Sequence, residues 1–181
     1  MNKTVDYDEK ISSIIGSKNS ISSRTINKLG KLYVLKELAK KGYTPQWRKR
    51  HIYVPELDKR IKVTVSNLKR EGEYKDKSIR YWGWAIKRRD NAVIFDFLVA
   101  VALNSNVWAP KFFIFSREET DKCDFFSKRF NNIEKGMRLF ENETAYISAL
   151  KERPQDETNP CIVEINTDSR KFLDRWDKIK G

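Results

Sequence analysis

The spacing of hydrophobic residues along the chain changes at Gly42. In the segment that ends there, the consecutive apolar residues Leu32–Leu35 indicate a helix that is buried on more than one face. Ser22 or Ser23 can cap the start of this helix, and Gly42 can end it after about Lys41. We therefore predict one long helix here, packed against a β-sheet.

Beyond Gly42, apolar and polar residues alternate as they do in strands. We predict strands at 51–54 and 61–66, joined by a hairpin connection at 55–60. In the second strand the apolar residues face one way, while Lys62 and the other polar residues face the opposite way.

The chain then continues with a very polar segment at 67–77, which we expect to be an exposed loop. Three further strands are predicted: an aromatic one at 79–86, a long apolar one at 94–103 and a short one at 112–115. The nearly continuous apolar run of the long strand is typical of a central strand covered on both faces. Ser116 with Glu119 has the pattern of a capping box that opens a helix.

Both ends of the chain have less regular patterns. Residues 1–22 form a polar N-terminal segment with one helical patch, followed by a linker that begins at Gly16, and 23–181 form a single α/β domain. Helices are expected at 143–152 and 169–180, where Trp176 docks on the core, with a strand or extended segment at 161–165. The predicted class is α/β, a mixed central β-sheet flanked by helices.

The net charge of +12 changes this picture, because it is concentrated. Between Thr44 and Asp90 there are 14 Lys/Arg against 6 Asp/Glu, a net charge of +8 in about a quarter of the chain. Such clustering favours a polyanionic partner. The alternative is a lysine-rich composition whose charge only keeps the protein in solution.

Most of the clustered cations lie at strand ends or in predicted loops, where they can follow phosphates along one face. The predicted nucleic-acid-binding residues are Arg48, Lys49, Arg50, His51, Lys62, Lys69, Arg70, Arg80, Lys87, Arg88 and Arg89. For any single cluster, a solvated surface remains the alternative. The aromatic residues among them can stack on unpaired bases or pack in the core: Trp47, Tyr81, Trp82 and Trp84.

No apolar run is long enough to span a bilayer, and the N-terminus lacks the apolar core of a signal peptide. We therefore expect a cytoplasmic protein with no membrane partner. Cys123 and Cys161 do not have the spacing of metal ligands and are expected to be reduced structural thiols.

The order of the predicted elements, from the long helix to the capping box, resembles the PD-(D/E)XK nuclease-like (restriction-endonuclease-like) superfamily. Three segments carry the resemblance: Leu29–Tyr43 resembles its first helix, Ile61–Ser66 its catalytic strand, and Phe95–Val99 the next core strand. The resemblance implies a restriction-endonuclease-like core and DNA as the partner.

The chemistry of that superfamily depends on carboxylates that hold a divalent metal ion, which activates water, and on a lysine of the catalytic strand. When the superfamily's positions are transferred to this sequence one at a time, the acid of the first helix corresponds to Lys31 and the hairpin aspartate corresponds to His51. The acid of the catalytic strand falls at Lys62, and its lysine falls at Thr64. Lysine repels a divalent cation, so the resemblance implies a nuclease fold without its usual metal site.

Three functions stay open. The first is a domain that binds nucleic acid, with DNA favoured over RNA as the ligand, and that uses no cofactor and no metal. The second is an active Mg²⁺-dependent endonuclease with relocated acids, for which Glu56, Asp58 and Lys62 are the candidate catalytic residues and Asp96 a further acid. The third is a protein-interaction domain with a basic surface. A homodimer or a partner subunit is compatible with each of them.

Overall fold

The computed structural model of the chain describes residues 6–16, 22–74, 77–86, 94–104, 109–122, 127–129, 134–140 and 169–180. Most of the predicted linker at 16–20, the predicted helix at 143–152 and the predicted strand at 161–165 lie outside these ranges. Cys123 and Cys161 also lie outside them. No helix in the described ranges is long and apolar enough to cross a membrane.

Two α-helices come first: α1 spans Tyr7–Gly16 and α2 spans Ser23–Lys40. The Ser22 hydroxyl accepts the backbone N–H of Thr25 at 3.2 Å, which satisfies one of the donors that a helix start leaves without a partner. At the other end, Gly42 has a φ of 87°, which glycine adopts readily. Both predicted ends of the long helix are confirmed.

In the described ranges that follow there are nine strands, one short helix and three turns of 3₁₀ helix. The strands are β1 (Gln46–Trp47), β2 (Ile52–Val54), β3 (Lys59–Asn67), β4 (Lys69–Tyr74), β5 (Lys77–Ile86), β6 (Phe97–Leu103), β7 (Lys111–Ser116), β8 (Ser127–Arg129) and β9 (Glu134–Phe140). The helix α3 spans Arg117–Lys122, and the 3₁₀ turns span Pro55–Leu57, Ser169–Phe172 and Trp176–Lys180.

The larger sheet has five strands in the order β1-β2-β3-β6-β7. Strands β3 and β6 run parallel, in a register that begins at Ile61 opposite Phe97 and ends at Asn67 opposite Leu103, and the other neighbours are antiparallel. Helix α2 packs on one face against β3, and α1 packs on α2. The predicted α/β class with a mixed central sheet and flanking helices is confirmed.

The approach of α2 to β3 depends on Gly30. A methyl group in place of its hydrogen would lie 2.5 and 2.6 Å from the two γ carbons of Val65. On this face of the sheet α2 supplies Leu29, Leu32 and Leu38 to a core that also contains Ile11 of α1. At position 30 the helix therefore lies closer to Val65 of β3 than a residue with a side chain would allow.

Strand β6 is buried along its whole length, as predicted for a central strand, although it begins at Phe97 and leaves Ile94 exposed. On the face away from α2, Trp82 and Trp84 of β5 cover it. The Trp82 indole N–H donates to the Leu103 carbonyl at 2.7 Å, and the Trp84 indole N–H donates to the Val101 carbonyl at 3.0 Å. These bonds satisfy both buried indoles.

The smaller sheet has the order β4-β5-β9-β8 and corrects one prediction. Most of the segment 67–77, which was predicted as an exposed loop, is a strand, because Lys69–Tyr74 forms β4, an edge strand that pairs antiparallel with β5. Hydropathy alone predicted a loop, but an edge strand needs only a neighbour that supplies backbone hydrogen bonds, and its side chains can be polar. The register shifts between Arg70 and Gly72.

The C-terminal segment corrects a second prediction. Residues 169–180 form two 3₁₀ turns instead of one α-helix, because Leu173 bridges to Phe113 of β7 and the Asp174 N–H donates to the Phe112 carbonyl at 2.8 Å. Asp174 has a φ of 52°, which is incompatible with a continuous helix. Trp176 is buried, as its predicted docking role requires.

The predicted capping box is also confirmed. The Ser116 hydroxyl accepts the N–H of Glu119 at 3.1 Å, and the Glu119 carboxylate accepts the N–H of Ser116 at 2.8 Å. Helix α3 therefore begins where the sequence predicted.

Candidate nucleic-acid interface

A tight turn joins β1 to β2 and consists of basic residues. The Arg48 N–H donates to the His51 carbonyl at 2.9 Å, which closes the turn and places Lys49 and Arg50 at its exposed tip. The predicted cluster Arg48–Arg50 is therefore the tip of a hairpin at the edge of the five-stranded sheet.

Next to this turn, one face of β1, β2 and β3 is polar. Gln46, Tyr53 and Arg60 are register partners across the three strands, so their side chains share a face. Arg48, two residues after Gln46, donates to the Gln46 side-chain oxygen at 2.5 Å and lies with its guanidinium carbon 5.9 Å from the centre of the Tyr53 ring. Lys62, two residues after Arg60, is on the same face of β3.

His51 lies close to these cations. Burial lowers its pKa below 6.5, and the positive charges of Arg60 and Arg48 lower it further. The imidazole is therefore mainly neutral at pH 7. We call Arg48, His51, Arg60 and Lys62 the basic sheet face.

The same side of the sheet is apolar at its other end, where Trp82 and Trp84 lie over β6 together with Phe113 and Phe115 of β7. Strand β5 also reaches β3, because the Gly83 N–H donates to the Ser66 hydroxyl at 2.9 Å. The smaller sheet thus covers the β6–β7 half of this side and the far end of β3. The basic sheet face lies on the remaining half.

At the hairpin edge, Lys31 of α2 reaches Trp47. The Lys31 ammonium lies 5.2 Å from the centre of the Trp47 ring, on the side of the hairpin opposite Arg48. Burial lowers the pKa of Lys31, and the positive charge of Lys62 lowers it further. The positions at which the superfamily resemblance expects two carboxylates therefore hold two lysines that interact electrostatically.

The candidate acids are engaged elsewhere. The Glu56 carboxylate accepts the Thr44 N–H at 2.7 Å and also accepts the Thr44 hydroxyl, and these bonds lower the pKa of Glu56. Asp58 accepts the Tyr53 hydroxyl at 2.9 Å. Asp96 accepts the Arg60 N–H at 2.7 Å and donates its own N–H to the Arg60 carbonyl. Each bond fixes a turn or a strand end.

The two lysines at the positions where the resemblance expects metal ligands do not suit a divalent cation. In the described ranges no three or more His, Cys, Asp or Glu side chains form a group that could hold a metal ion. Where the resemblance expects the ligands, the chain has Lys31, His51, Lys62 and Thr64. An ammonium group has no lone pair to give to a metal, and its charge repels one.

The remaining predicted cations are described less fully. Lys69 and Arg70 are in β4, opposite Tyr81 and Arg80 of β5, and only the backbone of the three basic residues is described. Lys87, Arg88 and Arg89 lie outside the described ranges. For Trp82 and Trp84 the stacking hypothesis is wrong, because both rings are buried between the sheets, whereas Trp47 is exposed.

Sequence reasoning did not include two cationic residues of this region, Arg60 and Lys31, among the candidate binding residues. Arg60 was assigned to the hairpin connection, but β3 begins at Lys59, so the alternation that includes Lys62 extends back to it. Lys31 was identified only as the place of a missing acid, and its contact with Trp47 depends on how α2 crosses the sheet. The signal that could have identified Arg60 was its positive charge two residues before Lys62, because residues two apart in a strand share a face.

Comparisons with known proteins add little to this description. No protein-family profile matches the sequence, and no curated protein sequence matches it. Among solved structures, the chain is similar to a bacterial homing endonuclease, I-Ssp6803I, with a TM-score of 0.49 and 12% sequence identity over 89% of this chain and 93% of that one. A likeness of this degree carries no functional argument.

Proposed function

We propose that the chain binds nucleic acid, with DNA as the first choice, through the basic sheet face. The observation that carries the proposal is that Arg48, His51, Arg60 and Lys62 lie together at one edge of the five-stranded sheet. Arg60 and Lys62 share a face of β3, Arg48 contacts the Tyr53 ring on that face, and both arginines interact electrostatically with His51. Burial lowers the pKa of His51, and repulsion by the neighbouring charges of Arg60 and Arg48 lowers it further. Phosphate oxygens would relieve the repulsion and accept hydrogen bonds from these side chains.

We further propose that the fold is a restriction-endonuclease-like core that holds a phosphate without cutting beside it. Lys31 and Lys62 support this view, because the resemblance expects acids at these two positions. Burial lowers the pKa of Lys31, and the positive charge of Lys62 lowers it further. Glu56, Asp58 and Asp96 each accept a hydrogen bond, from Thr44, Tyr53 and Arg60 respectively. Magnesium therefore has no assigned role in this proposal.

The direct test is a titration of a fluorescently labelled duplex with the full chain at increasing salt, followed by fluorescence anisotropy. We expect binding whose affinity falls with a log–log slope of about −3 to −4, since each neutralised phosphate contributes roughly −0.9. An RNA duplex of the same sequence and an acidic polypeptide serve as competitors. A protein that fails to bind DNA at low salt but binds the acidic polypeptide would remove nucleic acid from the proposal.

The same preparation distinguishes binding from cleavage. Plasmid incubated with the protein and Mg²⁺ or Mn²⁺ is expected to stay intact. Metal-dependent nicking that is lost in Glu56→Ala or Asp58→Ala would instead support the endonuclease with relocated acids.

Binding should also depend on pH through His51. The pKa of the free imidazole is lowered, and a bound phosphate would raise it, so the complex takes up a proton that the free protein does not hold. Affinity is therefore expected to rise as the pH falls through the pKa of the bound form, by about tenfold for each pKa unit that binding adds, and to level off below the pKa of the free form. Isothermal titration in two buffers of different ionisation enthalpy would measure the proton uptake.

His51→Gln is the matched variant, because glutamine keeps a hydrogen-bond donor but does not titrate between pH 5 and 8. It should bind with an affinity that is nearly constant over this range. An unchanged pH profile in the variant would assign the proton to another group.

A further inference from the structure

Trp47 is a large aromatic residue that the fold leaves accessible. Its side chain is 42% exposed, whereas Trp82, Trp84 and Trp176 are all buried. It lies in β1, a two-residue strand at the edge of the five-stranded sheet. The most exposed of the described indoles therefore lies in the hairpin that carries the basic turn Arg48–Arg50.

The surroundings of Trp47 are cationic on two sides. Lys31 lies over the ring at 5.2 Å from its centre, and the turn Arg48–Arg50 follows directly in the chain. Trp47 is the register partner of Ile52, whereas Arg48 is beside Tyr53 on the other side of the hairpin. The hairpin therefore presents cations on one side and an indole on the opposite side of the same edge.

A base inside a duplex is covered above and below by its neighbours, so an aromatic ring at a protein edge cannot stack on it. A base that has left the duplex has a free π-face, and its flanking phosphates need cations. We infer that Trp47 stacks on an unpaired base, so that the preferred ligand is nucleic acid with a single-stranded segment beside a duplex. This inference rests on the proposed function, and it adds the structural class of the ligand.

Lys31 has a second role in this arrangement. Its contact with the ring fixes the orientation of the indole and places a positive charge beside the stacked base, within reach of a flanking phosphate. If Trp47 served only to pack against Lys31, removing the ring would change stability but would not change which form of DNA is bound.

The test compares a blunt duplex with the same duplex carrying a single-stranded extension, each titrated by anisotropy with the full chain. The wild type is expected to prefer the extended DNA. In Trp47→Ala the affinity for the extended DNA should fall by roughly 5- to 150-fold, the range for loss of one stacked base, while the affinity for the blunt duplex stays within about twofold. Trp47→Phe retains an aromatic face and should keep most of the preference.

Ile94→Ala is the matched control, because Ile94 is another exposed large apolar side chain, at 70%, and is outside the hairpin. It should bind both DNAs like the wild type. Equal affinity of the wild type for the two DNAs, or an equal loss for both in Trp47→Ala, would overturn the inference and leave the proposed function intact. Absence of binding to either DNA would overturn the proposed function itself.

If Trp47→Ala fails to fold, the fluorescence of the wild type still decides the question. Stacking on a base is expected to quench the emission of Trp47 when the extended DNA binds, and Trp47→Phe should abolish that change. Identical quenching in Trp47→Phe would assign it to another tryptophan and contradict the inference.

Discussion

DNA affinity is expected to fall on the order of 100-fold when Arg48 and Arg60 are both replaced by alanine. Each guanidinium contributes about 1.5 kcal/mol when it donates to a phosphate, and the two residues are on adjacent parts of the same face. The log–log salt slope should become shallower by about 2, because two phosphate contacts are lost. Anisotropy titrations at several salt concentrations measure both quantities.

The structure suggests why this double variant should fold. Arg60 binds Asp96 through its backbone N–H and carbonyl, which alanine retains. The Arg48 side chain contacts Gln46 and the Tyr53 ring on an exposed surface, where its loss costs little stability. Thermal melts should therefore show a nearly unchanged midpoint.

Lys10→Ala is the control for charge alone. Lys10 is in α1, which packs on α2 and so lies on the opposite side of the sheet from Arg60. Removing it lowers the net charge without touching the proposed interface, and we expect less than a twofold loss of affinity. If Lys10→Ala weakened binding as much as Arg48→Ala or Arg60→Ala alone, the contact would depend on total charge and not on the basic sheet face.

The largest stability effect is expected at Gly30. Alanine there places a methyl group 2.5–2.6 Å from the γ carbons of Val65, and valine is too stiff at χ1 to move aside easily. Overpacking of this kind costs about 1–3 kcal/mol, so urea unfolding should show a markedly lower midpoint. Gly16→Ala is the matched control, because a Cβ at Gly16 meets no described atom within 4 Å and should leave stability unchanged or slightly higher.

A second substitution shows whether the contact itself is responsible. Val65→Ala removes the two γ carbons that the new methyl group would meet. In the double variant Gly30→Ala, Val65→Ala, we expect part of the lost stability to return, with a coupling of about 0.5–3 kcal/mol. Strict additivity of the two single effects would mean that α2 and β3 are farther apart than described.

Prediction from sequence succeeded where short-range chemistry determines the structure. Ser22 and Gly42 define the ends of α2, and Ser116 with Glu119 defines the start of α3, because each signal acts within one helical turn. The apolar run of β6 was equally informative, since such a run is typical of a strand covered on both faces.

Prediction failed where a distant segment decides the structure. Residues 69–74 are polar, and only their pairing with β5 makes them a strand. Residues 169–180 have a helical pattern, but β7 binds Leu173 and Asp174 and interrupts it. The basic turn Arg48–Arg50 could be read from the sequence because it is local, whereas the contact of Lys31 with Trp47 depends on the tertiary fold.

The connection between the parallel strands β3 and β6 contains the hairpin of β4 and β5, where most parallel pairs have a helix. The indole N–H groups of Trp82 and Trp84 attach this crossover to the carbonyls of β6. The two tryptophans thus divide the hairpin into a part that cannot change without disturbing the central strand and a part that can. During evolution, residues of the hairpin that precede Trp82 in the chain can change to contact a ligand while the five-stranded sheet stays the same.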